Sequence, residues 1–216
     1  MKRSRVGFEV TSNRIISMET AIHEAGHAAA IYFGNKQRQL PPVYFQIRIN
    51  QPDVKSHWNA EIEGGRLIHT LPESVAVVTA MLDTNQKADY LNAFEADIVN
   101  LLIGPLAEAN YVAQRDDEII NSCLVTLASL PRYGGAADLI VAWEYLECWF
   151  DDPHQRQSKL SELFLIAFDF INQPTRWRAI IGLANYLLSC EQTVIDYEQI
   201  SRVLDGCAFH RAGLSG

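Results

Sequence analysis

Hydrophobic positions along this chain recur at helical spacing almost throughout, and the period changes at one place near the front. Residues 12–33 read as a helix: alanines are frequent, Ser12 or Asn13 can cap its start, and Gly34-Asn35 marks its stop. The period then falls to two. Val43, Phe45, Ile47 and Ile49 alternate with Tyr44, Gln46 and Arg48, the pattern of a half-buried strand. Gly64-Gly65 opens a second short extended run, 66–70, which stops before Pro72. With the polar stretch 51–63 between them, the two runs are expected to form a hairpin or small sheet beside the first helix.

Helical spacing resumes over residues 73–82, 88–113, 136–150, 157–172, 175–189 and 197–204. Pro105 falls inside the second of these and predicts a kink or break, because proline lacks the amide hydrogen and crowds the preceding turn. Asp116-Asp117-Glu118 reads as a solvated loop. No internal repeat, low-complexity tract or Gly/Ser/Pro-rich linker divides the chain. The expected fold class is therefore α+β, mostly α-helical, with one domain over 8–211 and flexible ends at 1–7 and 212–216.

Composition narrows the function. With 216 residues, 48% of them hydrophobic, the chain can bury a core without a metal or disulfides, so a metal would serve another purpose. Eighteen Lys plus Arg stand against 26 Asp plus Glu, a net charge of -8. That balance argues against a nucleic-acid partner, whose phosphates call for clustered cations, and suits cationic or neutral chains better. The basic start lacks the apolar stretch of an export signal, and the most apolar runs, 98–103 and 163–171, are too short to span a bilayer. A cytoplasmic protein without membrane insertion is expected. Cys123, Cys148, Cys190 and Cys207 form no C-x-x-C pair and read as small buried hydrophobes. The Gly-rich loops that cradle nucleotide phosphates are absent from the sequence, which argues against ATP hydrolysis.

One motif carries chemistry. His23-Glu24-Ala25-Gly26-His27 is an H-E-x-x-H inside the strongest helical segment. At 3.6 residues per turn, positions four apart share a helix face, so both imidazoles can converge on one cation. Glu24, next to the first ligand, can approach a water at that cation and act as general base. Gly26 costs helix propensity and fits a place where another backbone comes close. A catalytic zinc takes three protein ligands and keeps one position open. By spacing alone the third can be Glu108, Asp138, His57 or His69.

Other histidines have plainer readings. His57 and His154 read as surface or half-buried residues and His210 as part of a frayed tail. His69 reads as a solvent-facing strand residue, with hydrogen bonding to a reaction intermediate as its sharper alternative. Trp143, Tyr145, Trp149 and Phe150 fall near helical spacing and read as core or interface, the latter a basis for a homo-oligomer.

With HEAGHA, LIGPLAEA (102–109) and YGGAADL (133–139) in view, the chain resembles the protease domain of the FtsH family of ATP-dependent zinc metallopeptidases. The order of parts is similar as well, from VYFQIRIN and GGRLIHTLPES to the closing helices in IGLANYLLSCEQTVIDYEQISRVLDG, so the resemblance spans roughly 12–206. It implies an FtsH-protease-like zincin fold and one zinc ion per chain bound by His23, His27 and Asp138. Glu24 would be the general base, and Glu108 would orient a ligand imidazole. It further implies that Arg66, Leu67, Ile68, His69 and Thr70 form an edge strand to which a substrate peptide adds as an extra strand.

The chain departs from the family in lacking its membrane helices and ATPase module. Pro105 replaces an Arg, and Ala137 and Trp143 replace an Asn and a Thr around the ligand Asp. The expected activity is therefore zinc-dependent hydrolysis of peptide bonds in peptides or unfolded polypeptides, with a separate chaperone or ATPase as a candidate partner. The competing class is a non-enzymatic descendant that keeps the metal for structure or the groove for peptide binding. Hydrolysis of another amide is a third reading.

Overall fold

The computed structural model describes residues 16–50, 59–121 and 124–209. The molecule is mostly helical, with a small three-stranded antiparallel sheet. Helix α1 (Met18–Ala29) continues through a π-helical turn (Ala30–Gly34) into the short α2 (Asn35–Gln37). The helical path thus runs past the expected stop at Gly34-Asn35. Its N-cap is Ser17, whose hydroxyl accepts from the Thr20 amide at 3.0 Å; the expected caps Ser12 and Asn13 lie outside the described residues.

Strands β1 (Phe45–Asn50) and β2 (Asn59–Gly64) pair antiparallel, with Ile47 opposite Ile62. Phe45, Ile47 and Ile49 are buried, as the two-residue period predicts. The second strand is not where the sequence places it. It occupies 59–64, inside the stretch expected to be a polar connection, while Arg66, Leu67, Ile68, His69 and Thr70 form no strand. The reason is local. Gly64 and Gly65 both adopt positive φ, 85° and 81°, which turns the chain off the pleat. The amides of Leu67 and Ile68 then donate to the Asp97 carboxylate at 2.9 and 2.8 Å rather than to a ladder.

Two helices follow: α3 (Val75–Thr79), a short piece of the expected 73–82, and α4 (Thr84–Arg115). Asp83 and Gln86 form a capping box that starts α4 four residues earlier than the hydrophobic period indicates. Pro105 is buried within α4 and does not break it; its ring packs where a side chain on Gly135 would lie. A 3₁₀ turn (Leu127–Tyr133), expected as loop, leads to α5 (Ala136–Trp149). Helices α6 (Pro153–Ile171) and α7 (Pro174–Ser189) come next. Strand β3 (Val194–Ile195), which the period did not reveal, pairs with the other edge of β1 before α8 (Tyr197–Phe209).

Helix α1 lies at the centre, packed on α4 and α7 and against β2, and every residue from Ala21 to Ala29 is buried. Small side chains make this possible. A Cβ on Gly26 would fall 2.8 Å from the Ala107 Cβ and 3.1 Å from the Gly104 Cα, so α1 and α4 cross where both present glycine. Tyr145 joins Phe94 and Trp149 in the core, the plainer reading of the aromatic run. Cys148, Cys190 and Cys207 are free and half-buried rather than buried; Cys123 lies outside the described residues. The Asp116-Asp117-Glu118 turn is exposed. Among the described residues, no helix is long and apolar enough to cross a membrane.

Candidate metal centre

Three elements meet at one point. Helix α1 carries His23 and His27 on the face turned toward α4, and α5 brings Asp138 in its first turn. The His23 and His27 Nε2 atoms lie 3.1 Å apart. Asp138 faces both, with Oδ2 3.3 Å from the His23 Nε2 and Oδ1 3.4 Å from the His27 Nε2. Of the four third ligands open by spacing, these distances favour Asp138. His57 lies outside the described residues, and His69 is exposed.

Helix α4 sets the direction of both rings. The His23 Nδ1 lies 3.1 Å from the Glu108 carboxylate, and the His27 Nδ1 lies 2.7 Å from the backbone carbonyl of Asn100. A carbonyl only accepts, so the His27 Nδ1 carries a hydrogen, and in the neutral ring the lone pair then lies on Nε2. An ionised Glu108 selects the same tautomer for the neutral His23 ring. Gly104 lies between these two clasps along α4, and a Cβ there would overlap the His27 imidazole. Residues 100, 104 and 108 recur every four positions and so form one face of α4. Glu108 was expected in this role. Asn100 was not, because a backbone carbonyl leaves no mark in a sequence.

Two Nε2 lone pairs and a carboxylate pointed at one another repel unless positive charge lies among them. The arrangement is built to hold such charge. Burial alone would lower the His23 pKa, but the hydrogen bonds with Asp138 and Glu108 outweigh it and push the value up to about 10. Burial would raise the Asp138 carboxyl, yet the two imidazoles hold it far below the usual carboxylate range. His23, His27 and Asp138 together could hold a metal ion.

Glu24 is 8% exposed, and burial lifts its pKa, an effect only partly offset by His27 and His23. Its carboxylate accepts no hydrogen bond among the described residues, and its oxygens are not among the buried side-chain atoms left without a partner. It opens instead into a cleft of about 520 Å³ shared with both histidines, Asp138 and strand β2.

The cleft rim corrects the expected substrate strand. Of Arg66, Leu67, Ile68, His69 and Thr70, only Arg66 lines the cleft, together with Asn59, Ala60, Glu61, Ile62 and Gly64 of β2. Consecutive β2 residues of both orientations border it, so the strand presents its edge rather than a face. Asp97, not foreseen from the sequence, anchors the rim: besides the Leu67 and Ile68 amides it accepts the Tyr145 hydroxyl at 3.0 Å. Burial raises its pKa in spite of these three bonds. Gly134, with φ of 74°, sits so close that a Cβ would lie 3.0 Å from the His23 ring and 3.1 Å from Glu108. Neither the protein-family models nor the curated proteins compared with this chain match it.

Proposed function

We propose that this protein is a zinc-dependent metallopeptidase that hydrolyses peptide bonds in peptides or already unfolded polypeptides, with Glu24 as general base. The observation that carries the reading is Glu24, on a buried stretch of α1, with its carboxylate lining the cleft beside His23, His27 and Asp138 and accepting no hydrogen bond among the described residues. A site that only stored a metal would have no use for it. The resemblance to the FtsH-type protease domain supplies the substrate class, and a zincin fold, cytoplasmic location and action without an ATPase of its own belong to the same proposal.

The donor set fits the ion. Tetrahedral bonds of about 2.0–2.1 Å place neighbouring donors roughly 3.3–3.4 Å apart; the two Nε2 atoms lie 3.1 Å apart, and each faces a different oxygen of Asp138, at 3.3 and 3.4 Å, which supports zinc as the ion. One zinc ion per chain held by these residues would supply Lewis acidity, making an attacking oxygen nucleophilic near neutral pH and polarising the carbonyl under attack.

The chain's own groups do the rest. Glu24 takes a proton from the attacking water, and its raised pKa suits it to pass that proton on to the departing amine. Glu108 and the Asn100 carbonyl keep both rings in the lone-pair-inward tautomer. The edge of β2 away from β1, unpaired among the described residues, offers backbone donors and acceptors to an extended peptide, the role first expected of residues 66–70.

The test is proteolysis by zinc-loaded protein of casein or a quenched peptide library. The wild type is expected to cleave. Glu24→Gln should hold the same zinc and lose activity by about 10²- to 10⁴-fold, the usual worth of a general base. Equal activity in the two proteins refutes the reading.

A further inference from the structure

Resting on the reading of the cleft as a peptide site, we infer that Glu61 selects substrates with a lysine or arginine side chain close to the bond that is cleaved. Charge along the rim carries the inference. Glu24, Glu61, Asp97, Glu108 and Asp138 all border the cleft, and Arg66 is the one Lys or Arg among its described lining residues. Four of the five acids have local tasks. Asp97 is committed to the 66–68 segment and Tyr145, Glu108 and Asp138 face the imidazoles, and Glu24 sits beside them.

Glu61 differs. It is exposed on the edge strand, and its hydrogen bond is to the Asn50 side-chain amide at 2.7 Å, which leaves its charge intact. Arg48 stands opposite it in the β1–β2 register and feels its charge, but gives its hydrogen bonds to Glu63. Glu63 is thereby neutralised, while Glu61 enters no ion pair among the described residues. Arg66 lies beyond the Gly64-Gly65 turn, where its charge acts on Asp97 and Tyr145.

A peptide laid on the β2 edge runs about 4.8 Å from that strand. Its side chains nearest Glu61 fall next to the stretch passing Glu24 and the two histidines. A long cationic side chain reaches the Glu61 carboxylate from there, whereas an acidic one meets a like charge. Backbone pairing tolerates any sequence, so the unpaired carboxylate is what makes one sequence differ from another.

Binding and cleavage separate this inference from the reading beneath it. Two labelled peptides of equal length, one with Lys and Arg flanking the central bond and one with Glu in their place, are titrated by anisotropy onto zinc-loaded Glu24→Gln protein. The basic peptide is expected to bind about twofold to fivefold tighter at low salt, the upper range for an exposed charge pair, with the gap closing as salt rises. Adding Glu61→Lys should abolish or invert the preference. Equal affinities, or a preference that survives Glu61→Lys, overturn the inference. Cleavage of both peptides by the wild type without charge preference would uphold the peptidase and sink the role of Glu61. Selective binding without cleavage would uphold Glu61 and sink the peptidase, and failure of both peptides to bind overturns both.

Discussion

Gly104 lies directly under the imidazole of His27, so close that a methyl group there would occupy the ring. The metal-facing position of His27 therefore depends on the absence of a side chain on a different helix. Gly104→Ala is expected to cost about 1–3 kcal/mol of stability, the usual range for overpacking a filled core, and to displace the ring. Urea unfolding and zinc titration of the variant check both effects. Unchanged zinc affinity would show that the ring has room to move.

The two ring clasps should respond differently to mutation. Glu108→Ala removes the group that orients His23 and should weaken zinc binding by about tenfold to a hundredfold. Asn100→Ala keeps the backbone carbonyl that holds His27 and should change affinity far less. Competition against a chromogenic chelator measures the two variants side by side, and the opposite ranking would contradict the assignment of clasps.

Metal removal should lower stability without abolishing the fold, because the core of this chain does not depend on an ion. Zinc at about 100 times its dissociation constant should add roughly 2.7 kcal/mol of stability through binding to the folded state alone. Calorimetry with and without chelator reads the shift. Complete unfolding on chelation would mark the ion as a structural staple instead.

Asp97 gives a pH signature. Its pKa is raised in the folded protein, chiefly by burial, above the ordinary 3.8. A carboxyl raised on folding contributes most below its unfolded pKa, and that contribution is lost as pH rises through the folded value. Asp97→Asn should destabilise at every pH, because an amide N–H₂ then confronts a buried backbone donor of the 67–68 segment, at a cost of about 1–3 kcal/mol. The gap between wild type and variant should be widest near about pH 4 and narrower at about pH 7. Denaturation midpoints across that range decide it; a gap that widens with pH would contradict the raised value.

Much of the architecture was legible because it rests on periodicity. The buried row Phe45, Ile47 and Ile49 announced β1, and the His23–His27 spacing announced a shared face on α1. Gly26 was legible as a close approach, and the structure places Ala107 and Gly104 against it. Strand β2 was hidden because its alternating row holds just two apolar residues, Ala60 and Ile62, among Asn, Glu and Gly, which are poor strand formers. What looked like a strand at 66–70 is held by Asp97, a single carboxylate distant in sequence that no local pattern could reveal. The Asp83–Gln86 capping box was present in the sequence and outranked by the hydrophobic period. The Asn100 clasp was beyond reach, since any residue there would offer the same carbonyl.

The clasps on α4 have a consequence for how this protein can change. Both rings are aimed from one helix, and that helix meets α1 through a pair of glycines, so the site inherits its alignment from a close joint in the core. Variation at the cleft rim, on β2 and the turn after it, can alter which chains are admitted while leaving the ring alignment untouched. Drift at the joint has no such freedom. Under the proposed function, selection on recognition and selection on reactivity would act on separate parts of the molecule, and new substrate preferences could arise without rebuilding the site around His23, His27 and Asp138.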